Sequence, residues 1–211
     1  MSPLVRNITG LRSGMAVRRN GVTARSRRRT ILAMIDDPSA EEAKELYAHF
    51  GLTFYCSNVF EHGVANAIFI FELMGKRREV KTREEWEILV DNHFENSFAQ
   101  TLGRLKNQLV RYQGQSPALS SLITDLDKCV EERNFLAHHF WREHATHWFT
   151  DAGREGMVQR LEEARDLFSE TDSKLEAAMR PFAARYGFTP NVERIGMELI
   201  RREARSHGQR R

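Results

Sequence analysis

The sequence predicts an all-α protein, an up-and-down bundle of four long helices with a short C-terminal helix. Three observations carry that expectation. Apolar side chains recur every three or four residues over long windows. The gaps between windows hold Gly, Pro or a capping Ser or Thr. No stretch of note alternates polar and apolar at the two-residue period of a strand. A chain of 211 residues has room for one domain with a buried core and tails.

The first helix is expected to open at Ser39, which can cap free amides, with Glu41 and Glu42 at the positive end of the helix dipole. Its inward line is Leu46, Phe50, Thr53, Ser57, Phe60, Val64, Ile68 and Phe71, with Gly51 and Gly63 as kink points and Gly75 as its stop. Lys76–Lys81 reads as a loop. Thr82-Arg83-Glu84-Glu85 has the form of a capping box. The second helix then carries Trp86, Leu89, Val90, Phe94, Phe98, Leu102, Leu105 and Leu109 until Gly114 and Pro117 break it. The third helix is expected from Pro117 to Phe149. The fourth follows Asp151-Ala152-Gly153 and reaches Tyr186-Gly187, with Pro181 as a kink or boundary. Thr189-Pro190 starts the short last helix, whose apolar residues are Val192, Ile195, Leu199 and Ile200.

Charge divides the chain into three parts. Residues 1–33 hold eight Arg and no acid, and residues 201–211 hold five Arg and one Glu. That leaves 19 basic against 28 acidic residues for positions 34–200, a net charge of about −9. Residues 1–37 are therefore expected to be a basic, disordered N-terminal tail, residues 38–200 the bundle, and residues 201–211 a basic C-terminal tail. The Arg-rich, acid-free start also has the composition of a transit peptide, or of an upstream extension ahead of Met34. The bundle itself lacks the basic face that supplies most non-specific affinity for nucleic acid, so any such contact must be local or carried by the tails.

Cys56 and Cys129 stand alone without C-x-x-C spacing, the usage expected of packing thiols in a reducing, cytoplasmic compartment. No apolar run reaches the length of a membrane span, so no membrane partner is expected. The phenylalanines and tryptophans read as core.

One segment of the third helix breaks the pattern: Glu132-Arg133-Asn134-Phe135-Leu136-Ala137-His138-His139. At 100° per residue the apolar side is set by Leu119, Leu122, Leu126, Cys129, Val130, Ala137, Phe140, Trp141 and Trp148, a stripe roughly 120° wide. Arg133 and His144 fall in the middle of that stripe, and Asn134 and His138 lie four residues apart along one edge. A guanidinium directed at a core is costly unless it is paired or faces a cleft.

Arg133-Asn134-(x3)-His138 resembles the R-x(4–6)-H motif of HEPN domains, in which a polar residue, often Asn, follows the Arg. The resemblance is strong over the eight residues and looser over the bundle at 38–187. HEPN domains are helical bundles, usually dimeric, and many are metal-independent ribonucleases. The resemblance thus implies a homodimer, an RNA substrate, a cognate antitoxin or other partner protein, and no cofactor or metal at the site. It also implies catalytic roles for Arg133, Asn134 and His138. The residue types suit the chemistry. Imidazole can act as base or acid near neutrality, guanidinium grips phosphate oxygens, and the Asn amide can orient the ring or the phosphate.

Two other readings stay open. Arg133 can be a structural cation paired with Glu61, Glu131 or Glu132, which would make the chain a non-catalytic interaction or nucleotide-binding module. His139, Glu143 and His147, at four-residue steps on a continuous helix, could hold a metal, although the Glu-x-x-His motifs of a di-metal bundle are missing.

Overall fold

The computed structural model of the chain describes residues 37–208, so the expected N-terminal tail lies outside the described residues apart from Asp37. The described residues hold helices and no strand: α1 (Ala40–Glu72), α2 (Arg83–Phe98), α3 (Leu102–Val110), α4 (Pro117–Ser121), α5 (Ile123–His138), α6 (Phe140–Glu143), α7 (Asp151–Arg185) and α8 (Pro190–Gly208). Short 3-10 turns occupy Met74–Arg78, Gln113–Gln115 and His147–Phe149. None of these helices is long and apolar enough to cross a membrane.

Local chemistry sets the helix starts. Ser39 accepts from the Glu42 amide at 3.3 Å while the Glu42 carboxylate accepts from the Ser39 amide at 2.8 Å. Thr82 and Glu85 make the same reciprocal pair at 3.1 and 3.3 Å. Each box satisfies amides that the first helical turn leaves without a carbonyl.

The long helices α1 and α7 form the central pair, packed along much of their length. α3 lies on α1, and α5 packs against α1, α3 and α7. The core they enclose includes Leu46, Phe60, Val64 and Ile68 of α1, Leu105 and Leu109 of α3, Leu126 and Cys129 of α5, and Leu161 and Phe168 of α7. Each such apolar side chain stabilises the fold by about 1.5–3 kcal/mol when fully buried. Burial pushes the Cys129 thiol up to about 11, with Thr171 as its polar neighbour. The Thr53 hydroxyl, fully buried, is within bonding distance of the carbonyls of His49 (2.9 Å) and of Leu161 on α7 (3.0 Å).

The α7 start is fixed to α1 by a buried cation. Arg154 donates to the Trp148 carbonyl at 2.9 Å and to Glu42 at 2.8 Å, and also pairs with Asp151. Ser39 and Arg154 together hold the Glu42 carboxyl down to about 2. Gly153 lets the turn come this close, because a Cβ there would lie 2.2 Å from the His147 carbonyl oxygen and 2.7 Å from its Cα. Tyr47, Phe50, Phe140, Trp141 and Trp148 fill the adjoining space, with successive ring centroids 5.0–5.7 Å apart.

Several expectations need correction. The second helix divides at 99–101. This break lets α3 bury Leu102, Leu105 and Leu109, whereas Phe98 stays 47% exposed and α2 packs on α1 alone among its principal neighbours. The third helix breaks at Leu122 and His139, and α6 ends at Glu143 rather than continuing to Phe149. The last helix is not short. It continues to Gly208 through Arg201, Arg202 and Arg205, across the expected boundary of the C-terminal tail at 201. Arg, Glu and Ala are good helix formers, and nothing between 201 and 207 stops the turn.

Candidate functional site: the polar face of α5

α5 distributes the eight-residue segment in three directions. Leu136 is buried, and the largely buried Glu132 pairs with Arg160 of α7. The Arg160 guanidinium also lies 5.2 Å from the centroid of the Phe135 ring. These contacts clamp α5 onto α7, so Glu132 is committed to a neighbour other than Arg133. Asn134, Ala137 and His138 are on the exposed side.

Arg133 lies between these two sides. It stands four residues after Cys129 and three before Leu136, on the buried line of the helix, and is itself half-buried. The placement of Arg133 in the apolar stripe is therefore realised, although the stripe continues through Leu136 and leaves Ala137 exposed. The Arg133 Nε is buried without a hydrogen-bond partner, and the side chain makes no ion pair among the described residues. Its positive charge is felt by Glu61 of α1. Burial pushes that carboxyl above its ordinary value, and Arg133 and His62 pull it back. Of the three candidate counter-ions, Glu131 is exposed, Glu132 is held by Arg160, and Glu61 acts on Arg133 at a range beyond a contact ion pair.

His138 is the last residue of α5, and its ring meets that of His139 edge to face at 6.3 Å. The helix ends at His139, whose Nδ1 accepts from Arg142 at 2.7 Å. Asn134 and His138, one helical turn apart, have no side-chain hydrogen bond to another described residue. Their amide and imidazole are left with free donor and acceptor capacity on the exposed face, while the Arg133 Nε on the buried line of the same helix is also without a partner. Such a set can hold an oxyanion and move a proton near it.

The helix breaks also remove the proposed metal line. His139 caps α5, Glu143 ends α6, and His147 begins a 3-10 turn, so the three do not share one regular helical face. Among the described residues no group of three or more His, Cys, Asp or Glu side chains is placed to hold a metal ion. His144 is the second polar residue of the apolar stripe. It packs against Phe140 at 4.8 Å and Phe135 at 6.1 Å, with both ring nitrogens buried and unpartnered. Burial, helped by His147 and Arg160, pushes it below the ordinary histidine range.

Sequence reasoning missed the Glu132–Arg160 clamp. Arg160 stands three residues after the core residue Met157 and directly before Leu161, a position from which a long side chain can cross to a neighbouring helix.

Fold and site together define an all-helical bundle whose fifth helix carries an Arg–Asn–His polar edge. Beyond that class the comparisons are silent: no family model, no curated protein and no solved structure matches this chain.

Proposed function

We propose that the protein is a HEPN-like ribonuclease of toxin or defence type, cleaving RNA without a metal at a composite site formed by two copies of the chain. The observation that supports this reading most is the open face of Asn134 and His138 on the helix that also carries Arg133, whose Nε has no partner. Buried polar groups in folded proteins are ordinarily satisfied. A cation left short of partners on the same helix as two free polar side chains has binding capacity for a phosphate.

In this mechanism one His138 takes the proton from a ribose 2′-hydroxyl, and the resulting oxygen attacks the adjacent phosphorus. The bond from phosphorus to the 5′-oxygen breaks, and the same residue of the second copy protonates that oxygen. Arg133 offsets charge on the phosphoryl oxygens, and Asn134 orients the phosphate or the ring. The net acidity of the bundle predicts modest affinity that depends on these few contacts rather than on a broad electrostatic field.

A second reading is supported by Glu61. Its electrostatic coupling to Arg133 favours a structural cation in a non-catalytic interaction or nucleotide-binding module. Purified wild type, Arg133→Ala, Asn134→Ala and His138→Ala would be compared for RNA cleavage in EDTA and for thermal stability. The ribonuclease reading expects cleavage by the wild type and a loss of about a hundredfold or more in His138→Ala, with the melting temperature retained. A melting temperature that collapses in Arg133→Ala and recovers in Arg133→Ala/Glu61→Gln, with no cleavage by the wild type, establishes the structural reading instead.

A further inference from the structure

The later part of α1, the later part of α7 and Phe94 of α2 line a cavity of about 540 Å³. That volume falls in the range that encloses a small organic molecule. No residue of α5 lines it. Its walls are apolar and aromatic: Phe69, Phe94 and Phe188 contribute rings, and Leu175 and Met179 contribute aliphatic surface. The Phe69 and Phe94 rings lie stacked with centroids 5.3 Å apart.

Three charged side chains of α7 reach this cavity, and they do not cancel. Glu176 and Arg180 are joined at 2.9 Å, so their charges offset one another. Asp172 remains. It is half-buried and makes no hydrogen bond or ion pair through its side chain among the described residues. It is seated against α1 at Gly63, where a Cβ would come within 2.3 Å of its Oδ1. The glycine lets the carboxylate lie directly against the helix, where a Cβ would make it swing aside. Burial, with Glu176 nearby, pushes the Asp172 carboxyl above its ordinary value, as expected of a charge lacking its counter-ion.

We propose that this cavity is a binding site for a small organic cation, an amine with an aromatic or aliphatic body, for which Asp172 is the counter-ion. A carboxylate at one wall and aromatic faces on the others form the set that recognises an ammonium group attached to an apolar body. Neutral or anionic molecules of the same shape fill the same volume but leave Asp172 unpaired, or repel it. The proposal is independent of the ribonuclease reading, since the two sites share no residue.

The test uses phenethylammonium as probe, with phenethyl alcohol and phenylpropionate as isosteric neutral and anionic controls. Binding to the full chain is measured by calorimetry or ligand-detected NMR. Phenethylammonium is expected to bind at least about tenfold more tightly than the alcohol, and phenylpropionate more weakly than either. In Asp172→Asn, which keeps the shape of the site, the preference for the amine is expected to disappear while binding of the alcohol is retained. Ala183→Trp, which projects a large ring from the cavity wall, is expected to abolish binding of both. Equal affinity of the wild type for amine and alcohol would overturn the proposal. So would an amine preference that survives in Asp172→Asn, which would mean adsorption to the acidic surface.

Discussion

The two ends of the α1–α7 pair use the same elements and end up opposite in character. At the Asp151 end a glycine allows close approach, a charged residue of α7 crosses to α1, and aromatic rings fill the remainder. At the Arg185 end there is again a glycine, a charged residue of α7 and a set of aromatic rings. In the first case Arg154 is 7% exposed and has three oxygen partners, and the end is closed. In the second, Asp172 has no such partner among the described residues and the rings line a cavity. A charge carried between two helices holds them together when its partners come with it, and leaves binding capacity when they do not.

Substitutions can break or sharpen this contrast, beginning with the largest effect. Gly153→Ala places a Cβ against the backbone of His147, which cannot swing aside, and is expected to cost about 3 kcal/mol in chemical denaturation. Arg154→Met keeps the bulk but strands the Trp148 carbonyl and separates α7 from Glu42. A loss of about 2 kcal/mol is expected in the same measurement.

Glu42→Gln tests the same end by its pH dependence. The folded carboxyl is held at about 2, below its ordinary 4.5. Its contribution is therefore fully present above about 4.5 and is lost as pH falls towards 2. The stability gap between wild type and Glu42→Gln should be widest at neutral pH and narrow steadily below pH 4.5. A gap that stays constant down to pH 3 would remove Glu42 from the account.

Asp172→Asn has the opposite sign. A carboxyl raised in the folded state costs stability as pH rises through its titration, so the Asn variant should be slightly more stable than wild type at pH 7. That advantage should vanish below the ordinary aspartate value of 3.8. Gly63→Ala comes last. The new Cβ meets only the tip of the Asp172 side chain, which can move, and the helix gains about 1 kcal/mol from Ala over Gly. The net change should be near zero, against the large loss at Gly153. Equal losses at the two glycines would erase the distinction between the ends.

Much of the framework was legible in the sequence because it depends on local chemistry. Ser39 with Glu42 and Thr82 with Glu85 are complete capping signals within four residues, and both form. The three-and-four spacing from Leu46 to Ile68 identified the buried side of α1, including Thr53 and Ser57. The breaks at 99–101 and at His139 carry no Gly or Pro. Apolar periodicity runs through them unaltered, and only the packing of Leu102 and Phe140 against other helices reveals the turns. At the polar edge, the position of Arg133 in the apolar stripe could be read directly, because it is a property of one helix. The commitment of Glu132 to Arg160 could not, because the partners are 28 residues apart and belong to different helices. The cavity was illegible for the same reason. Its carboxylate and the glycine beneath it are separated by more than a hundred positions, and neither is unusual alone.

The buried thiol of α5 provides an internal stopwatch. Cys129 is sealed from solvent and its proton is held tightly, whereas Cys56 is only half-buried. A thiol-reactive dye added to the native protein should therefore label the two positions on separate timescales. The early phase reports access at the surface of α1. The late phase can proceed only as often as the core opens, so its rate, followed against denaturant, reads the opening free energy of the bundle with no introduced residue.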